Sequence, residues 1–275
     1  MTEQQMQIQM ESGSTIDVAL NPERLKFTFS IATVWIIPVI LMLAFLEKAN
    51  FILLPLWSLM CISWIIGGNS RMSAVANTGL PPQAQDGIEL VKSRWLALFL
   101  GPLTFAVAVL LAALLIFGGI TLASNWAFLG ALLTIPTFIL VLICSAIALN
   151  VYLICTIIGY DDVGVVHAAK KLCSIAIAKP HYLFGMLSDL ISATFFLYIV
   201  SGIIVAGAVF LTLAMTGAGF DLHALMAMTQ GNHVPDSAFV SSIRAGSIAI
   251  IIVTWLSFLV NVAAITSSAA YSDDA

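Results

Sequence analysis

Residues 160–180 read YDDVGVVHAAKKLCSIAIAKP, and this stretch decides the fold. No Asp, Glu, Lys, Arg or His lies between Arg94 and Asp161, and a second run almost without charge follows Pro180. Charged side chains are costly inside a bilayer. A charged island between two such runs therefore indicates a segment that lies at a membrane surface.

The composition of the whole chain also indicates a membrane protein. Hydrophobic residues make up 61% and charged residues 9% of its 275 residues, and the mean hydropathy is +1.07. Globular proteins carry about 25% charged residues, so this chain cannot cover a water-soluble surface. The net charge is only −4, and no basic stripe is present, so we expect no nucleic-acid partner.

Six apolar segments predict six transmembrane helices, since about 20 apolar residues cross the hydrocarbon core. The first follows Asn21-Pro22-Glu23, which is typical of a helix start with an Asn cap. The predicted spans are Lys26–Leu46, Phe51–Gly67, Trp95–Phe117, one within Trp126–Tyr160, Tyr182–Met215 and Ala245–Ile265. The fourth segment is too long for one perpendicular span. It is either a kinked, tilted helix or a re-entrant piece followed by a span.

Two segments between the spans predict helices that lie flat at the membrane surface. In the first, residues 86–95, apolar and charged side chains alternate at helical spacing. In the second, residues 165–178, His167, Lys170 and Lys171 lie opposite an apolar face. The predicted fold is an all-α, polytopic transmembrane helical bundle of about six spans with two cytoplasmic interfacial amphipathic helices.

Lysine and arginine residues predict the orientation of this bundle. With six spans both termini lie on one side, together with Arg24, Lys26, Arg71, Lys92, Arg94, Lys170, Lys171 and Lys179. Lys48 and Arg244 lie on the other side. The positive-inside rule then places both termini in the cytoplasm. We predict a polar N-terminal tail (1–21), a six-span domain (22–266) and a short acidic C-terminal tail (267–275).

Several short motifs lie near the ends of the apolar segments. In the first half they are Trp64-Ile-Ile-Gly-Gly68 and Gly101-Pro-Leu103; in the second half they are the acidic start at 161–164, Lys179-Pro180 and Trp255. In this arrangement the chain resembles a group of uncharacterised polytopic bacterial membrane proteins. The resemblance implies a helical membrane fold in the bacterial cytoplasmic (inner) membrane, and it implies no activity.

Polar side chains within the apolar segments are the candidate functional residues, because ionisable groups are rare in membrane spans. Asp189 lies about two turns into the fifth predicted span, and Asn150 and Asn261 lie on neighbouring spans. One interpretation is a proton or cation site formed by all three. The favoured interpretation is that Asp189 lies near the cytoplasmic interface and pairs with Lys179 or His181.

The loop before the last span concentrates residue types that bind metals, but their spacing matches no recognised site. These residues are Asp221, His223, Met226, Met228, His233 and Asp236. None of the four histidines lies in the body of a predicted span, so we expect no bilayer-embedded haem. Motifs of hydrolases, proteases and nucleotide-binding loops are missing from the sequence. We predict no cofactor, no bound metal and no enzymatic activity.

Two functional hypotheses follow. The first is a structural or accessory subunit, or scaffold, of a larger bacterial membrane assembly. Its partners are the lipid bilayer and other membrane subunits or further copies of the chain, and Gly202-x-x-x-Ala206 is a spacing that lets helices approach. The alternative is a small-solute or ion transporter or channel that uses Asp189, Asn150 and Asn261. A carrier requires these side chains to converge in a solvent-reaching cavity, whereas a scaffold requires a closed bundle.

Overall fold

The computed structural model describes residues 15–45, 50–124, 151–178, 180–215 and 238–272, and these residues form eight helices and no strand. The helices are α1 (Thr15–Ala19), α2 (Pro22–Phe45), α3 (Asn50–Asn77), α4 (Ala84–Ser124), α5 (Val151–Asp161), α6 (Val165–Ala178), α7 (Pro180–Met215) and α8 (Ala238–Ser272). Within these residues the all-α prediction is confirmed.

Three of these helices are long and apolar enough to cross a membrane, over Pro22–Leu41, Leu53–Asn77 and Ile243–Ser272. Helices α5 and α6 pass the same test only as a pair, and they are bent by 115° at the break between them. The described residues thus contain three candidate spans, or four if the bent pair is one span. The chain is a helical membrane protein, as its composition predicts.

Helix α3 lies at the centre of the bundle. It packs against α2, α4, α5 and α8, whereas α7 packs on α8 and contacts α6. Cys61, Ile65 and Met72 of α3 are fully buried in the common core. The motif that includes Gly67 therefore occupies the most central helix of the described bundle.

Glycines allow α3 to approach its neighbours closely. A Cβ atom at Gly159 of α5 would overlap the backbone carbonyl of Gly67, and a Cβ atom at Gly68 would overlap the ring of Phe27. Small residues at helix interfaces permit this kind of approach between backbones. The Gly67-Gly68 motif therefore has a packing role on two sides of α3.

The start of α2 agrees with the predicted cap. Pro22 is its first residue, and Asn21 Oδ1 accepts a hydrogen bond from the Glu23 backbone amide at 3.0 Å. The Glu23 side chain caps another helix as well, because its Oε2 accepts a hydrogen bond from the Ala84 backbone amide at 3.0 Å. One short stretch thus begins α2 and caps α4.

Helix α3 is longer than the span predicted from hydropathy. The predicted span ends at Gly67, whereas the helix continues to Asn77. Asn69 and Ser70 are fully buried, and each side chain donates a hydrogen bond to a carbonyl four residues earlier, at 3.0 and 2.8 Å. Side chains that donate back to the helix in this way do not end it.

Helix α8 likewise continues past the predicted span end at Ile265, through the first part of the predicted C-terminal tail, to Ser272. Side chains in this extension are buried between helices, namely those of Ser267, Ser268 and Tyr271. The end of α8 is therefore part of the packed bundle.

Helix α4 has a break at Arg94, where φ is −120° and ψ is 16°. The break lies at the junction predicted between a surface helix and the third span. Before it, Leu90 and Val91 are buried and Lys92 is exposed. Trp95, predicted on the same face as Val91, is instead 50% exposed, because the break turns the chain between them.

Candidate functional site

Charged residues gather at the turn between α5 and α6, which we call the elbow (residues 160–164). Asp162 has a positive φ of 53°, a left-handed conformation in which Asp is enriched. It follows the last residue of α5, and α6 begins at Val165. The charged island of the sequence thus ends one helix and starts the next in a different direction.

Arg94 connects the break in α4 to the elbow. Its Nε donates to Asp162 Oδ1 and its Nη2 donates to the Asp162 backbone carbonyl, both at 3.1 Å. The two side chains are 41% and 43% exposed, so the ion pair itself contributes about 0–1 kcal/mol to stability. The second bond fixes the elbow backbone relative to α4.

Asp161 joins three helices through one carboxylate oxygen. Lys171 Nζ of α6 donates to its Oδ2 at 2.9 Å, and the Tyr271 hydroxyl of α8 donates to the same atom at 2.8 Å. Lys171 Nζ also lies 4.8 Å from the centroid of the Tyr271 ring, a cation–π contact. The side chains of Lys171 and Asp161 are 34% and 22% exposed, so water screens this pair only in part.

Tyr160 extends the contacts to α3. The Asn77 side-chain amide donates to its hydroxyl at 2.7 Å, and its ring packs edge-on against that of Tyr271, with centroids 5.3 Å apart. Side chains from α3, α4, α5, α6 and α8 therefore meet at this end of the bundle. We call the set the elbow cluster: Asn77, Arg94, Tyr160, Asp161, Asp162, Lys171 and Tyr271.

Arg24 of α2 forms a buried polar layer next to the elbow cluster. Its side chain is 2% exposed; Nη1 donates to the Asn69 carbonyl and Nη2 to Ser73 Oγ, both at 3.0 Å. Ser268 Oγ of α8 donates to the same Ser73 oxygen at 2.9 Å. Burial of a guanidinium is costly unless acceptors surround it, and here the acceptors connect α2 to α3 and α8.

The three predicted site residues are placed as follows. Asn261 is fully buried, and its Nδ2 donates to the Ala19 carbonyl at 3.0 Å, which holds α1 against α8. Asp189 lies on α7, but its side chain is not among those described. Asn150 lies outside the described residues. The proton or cation site stays a prediction, and Asn261 makes a bond between helices.

The loop that contains Asp221, His223, Met226, Met228, His233 and Asp236 also lies outside the described residues, so the prediction that it binds no metal is untested. Among the residues that are described, no group of three or more His, Cys, Asp or Glu side chains is placed to hold a metal ion.

Two cavities in the described part of the chain are large enough to consider as binding sites. One is an open surface groove of about 570 Å³ along α6, lined by Val165, Val166, Ala169, Lys170, Cys173 and Ser174. The other has a volume of about 420 Å³ and lies between α2, α3 and α8. Both linings consist mainly of hydrocarbon, and neither contains an acid or a histidine.

Comparison of the chain with protein-family models, with curated proteins and with solved structures gave no match. The geometry of the elbow cluster indicates its role. Its polar groups donate hydrogen bonds to, and accept them from, one another across helix boundaries, which is the arrangement of a structural clamp.

The sequence interpretation located Asp161, Asp162 and Lys171 but missed Tyr271, which bonds to Asp161, and Asn77, which bonds to Tyr160. Asn77 and Tyr271 lie near the ends of long apolar helices, beside segments with little hydropathy signal. A tyrosine at such an end is typical of a membrane boundary, so a signal for Tyr271 was available in the sequence.

Proposed function

We propose that the protein is a structural or accessory subunit of a bacterial cytoplasmic-membrane assembly, and that the elbow cluster holds one end of it rigid. The supporting observation is the Asp161 carboxylate, which accepts from Lys171 of α6 and Tyr271 of α8 while belonging to α5. A contact of this kind stabilises a fixed arrangement of helices.

Asn261 favours this proposal over the transport alternative. A carrier needs polar groups that face a path for water or solute. Asn261 is fully buried and donates to the Ala19 carbonyl. The buried polar layer around Arg24 likewise bonds helix to helix. In the described ranges, therefore, these polar side chains connect helices.

We further propose six spans with both termini in the cytoplasm. The spans beyond those already identified are α4 after Arg94, α7 and one within residues 126–160. The elbow end is assigned to the cytoplasm because Arg94, Lys170 and Lys171 lie there. Helix α6 is bent by 115° from α5, so α6 runs close to the membrane plane if α5 crosses the membrane. The exposed side of α6 carries the apolar Val166 and the basic Lys170, as expected of a helix at the membrane surface.

Cys173 tests this orientation, because it is exposed on α6 whereas Cys61 and Cys155 are buried. In a variant that keeps Cys173 and replaces the other cysteines with Ser, a membrane-impermeant maleimide should label the protein only after the cells are permeabilised. A second variant with Thr229→Cys as its only cysteine, in the loop predicted outside, should be labelled in intact cells. The reverse pattern would invert the topology.

Purification from native membranes in a mild detergent, followed by mass spectrometry, tests the proposed function. We expect other membrane proteins to co-purify in a fixed ratio. An Asp161→Asn, Lys171→Met variant should lose them while the chain itself is still inserted. Isolation of the chain alone, together with solute flux in reconstituted vesicles, would favour the transporter instead.

A further inference from the structure

The cavity between α2, α3 and α8 lies between the three helices that are long and apolar enough to cross a membrane. Trp35 and Val39 of α2, Leu54 and Ser58 of α3, and Ala249 and Val253 of α8 line it. Its position within candidate spans places it at the depth of the lipid chains.

The lining offers water few partners. Trp35 Nε1 donates to Ser58 Oγ at 3.1 Å, which leaves the Ser58 hydroxyl as the polar group of the lining. The other lining side chains are hydrocarbon, and apolar cavities of this kind stay dry. An empty space would lose dispersion contacts along its whole lining, so the natural occupant is a hydrocarbon chain.

The volume fits such a chain. A dry cavity of about 150 Å³ with a similar lining admits benzene, so a cavity of 420 Å³ has room for roughly a dozen carbon atoms. This is about the length of acyl chain that reaches from one membrane surface towards the middle of a bilayer about 30 Å thick.

A buried cation precedes the first lining residue of α8 in the sequence. Arg244 directly precedes the lining residue Ala245 on α8, and it is 5% exposed. It lies near the start of the candidate span Ile243–Ser272, the end remote from Tyr271 and the elbow. A guanidinium has five N–H donors and binds phosphate oxygens in pairs, so it can hold a phosphate in addition to a protein partner.

We propose that this cavity binds one acyl chain of an anionic phospholipid from the bilayer, with the lipid phosphate at Arg244. The apolar lining selects the chain, and the buried guanidinium next to Ala245 selects the charged headgroup. The lipid then fills the space left by the small side chains Ala245 and Ala249 and joins α8 to α2 and α3.

Trp35 provides a probe, because it lines the cavity yet is only 2% exposed. In a variant whose other five tryptophans are replaced with Phe, reconstituted in phosphatidylglycerol with brominated acyl chains, Trp35 fluorescence should be quenched at least twofold. Ala249→Phe in this background fills the cavity and should remove the quenching. Ile250→Phe, at a neighbouring site that is 47% exposed, should leave it unchanged.

The headgroup is tested in vesicles of phosphatidylcholine with a minor share of phosphatidylglycerol, in which only the latter is brominated. Arg244→Gln should then lower the quenching several-fold, with no change when all lipids are brominated. An unquenched Trp35, or equal quenching with Ala249→Phe, would overturn the proposal. Equal quenching with Arg244→Gln would overturn the headgroup assignment. Native mass spectrometry of the unmodified protein should show one retained phosphatidylglycerol, and its absence counts against the site even if Ala249→Phe does not fold.

Discussion

The two ends of the bundle are held together by different chemistry. At the elbow end, α5, α6 and α8 meet on the carboxylate of Asp161, and Arg94 of α4 pairs with Asp162. At the other end, α2, α3 and α8 meet through apolar side chains around a cavity, with the Trp35–Ser58 hydrogen bond as a local polar contact.

The difference follows from the cost of placing charge at depth. The ion pairs of the elbow cluster are partly exposed, at 22–43% of their side-chain surface, so water and headgroups reduce their desolvation penalty. Apolar helices in lipid gain little from hydrophobic burial against each other, and shape decides how they pack. Directional bonds therefore fix the elbow end, and the sizes of side chains fix the other.

Gly159→Leu should have the largest effect, because it disrupts the close backbone contact between α5 and α3, which the directional bonds of the elbow cluster cannot replace. A side chain there meets the carbonyl of Gly67, which cannot move to another rotamer. Overpacking usually costs about 1–3 kcal/mol, and we expect about 3 kcal/mol or more here. Thermal unfolding in mild detergent, followed by gel filtration, measures the loss.

Gly207→Leu is the matched control, because a Cβ atom at Gly207 of α7 would meet no atom within 4 Å. It should leave the unfolding temperature close to that of the unmodified protein. If both variants unfold at that same temperature, α3 and α5 do not meet as closely as described.

Arg24→Ala comes next, and it tests whether the buried polar layer stabilises the elbow end. The change removes hydrogen bonds to Asn69 and Ser73 and leaves space where a long side chain was 2% exposed. We expect a loss of about 2–4 kcal/mol in unfolding free energy. Lys26→Ala is the control: the Lys26 side chain is 70% exposed, and such surface changes stay within about 0.5 kcal/mol.

Asp161→Asn and Asp162→Asn compare the contributions of the two elbow carboxylates to stability. Asp161→Asn weakens bonds to both Lys171 and Tyr271, with an expected cost of about 1–2 kcal/mol. Asp162→Asn preserves the left-handed turn, which Asn tolerates, and weakens one exposed pair, so the expected cost is below about 1 kcal/mol. Unfolding midpoints in 0.1 M and 1 M salt check this order; a larger loss for Asp162→Asn would contradict the central role of Asp161.

The sequence predicted best those features that depend on neighbouring residues along the chain. Hydropathy identified the membrane class, Asn21-Pro22 identified the start of α2, and the charged run at Asp161 identified the elbow. Each of these signals is local, because a cap, an apolar run or a charge run acts within a few residues.

The partners of the elbow were not predictable in the same way. Asn77 and Tyr271 contact Tyr160 and Asp161 only because α3 and α8 are neighbours of α5, and periodicity does not say which helices are neighbours. The end of α3 was placed too early because hydropathy counts Asn69 and Ser70 as polar, whereas each side chain donates a hydrogen bond to a carbonyl four residues earlier in the same helix.

Asp189→Asn should have the smallest effect, and it separates the two functional hypotheses. Helix α7 begins at Pro180, so Asp189 lies roughly 14 Å along it at 1.5 Å per residue. In the proposed topology this position is in the cytoplasmic half of the span, within reach of snorkelling side chains and water. The free-energy cost of burying a charge is therefore much smaller there than at the bilayer midplane. We therefore expect Asp189→Asn to leave expression, co-purification of partners and any flux in reconstituted vesicles near the values of the unmodified protein. Asn261→Leu provides the contrast, because it removes the bond to Ala19 and should lower stability without altering flux. Complete loss of function in Asp189→Asn, with normal insertion and assembly, would contradict the scaffold and make the chain a carrier in which the charge of Asp189 moves a proton or cation.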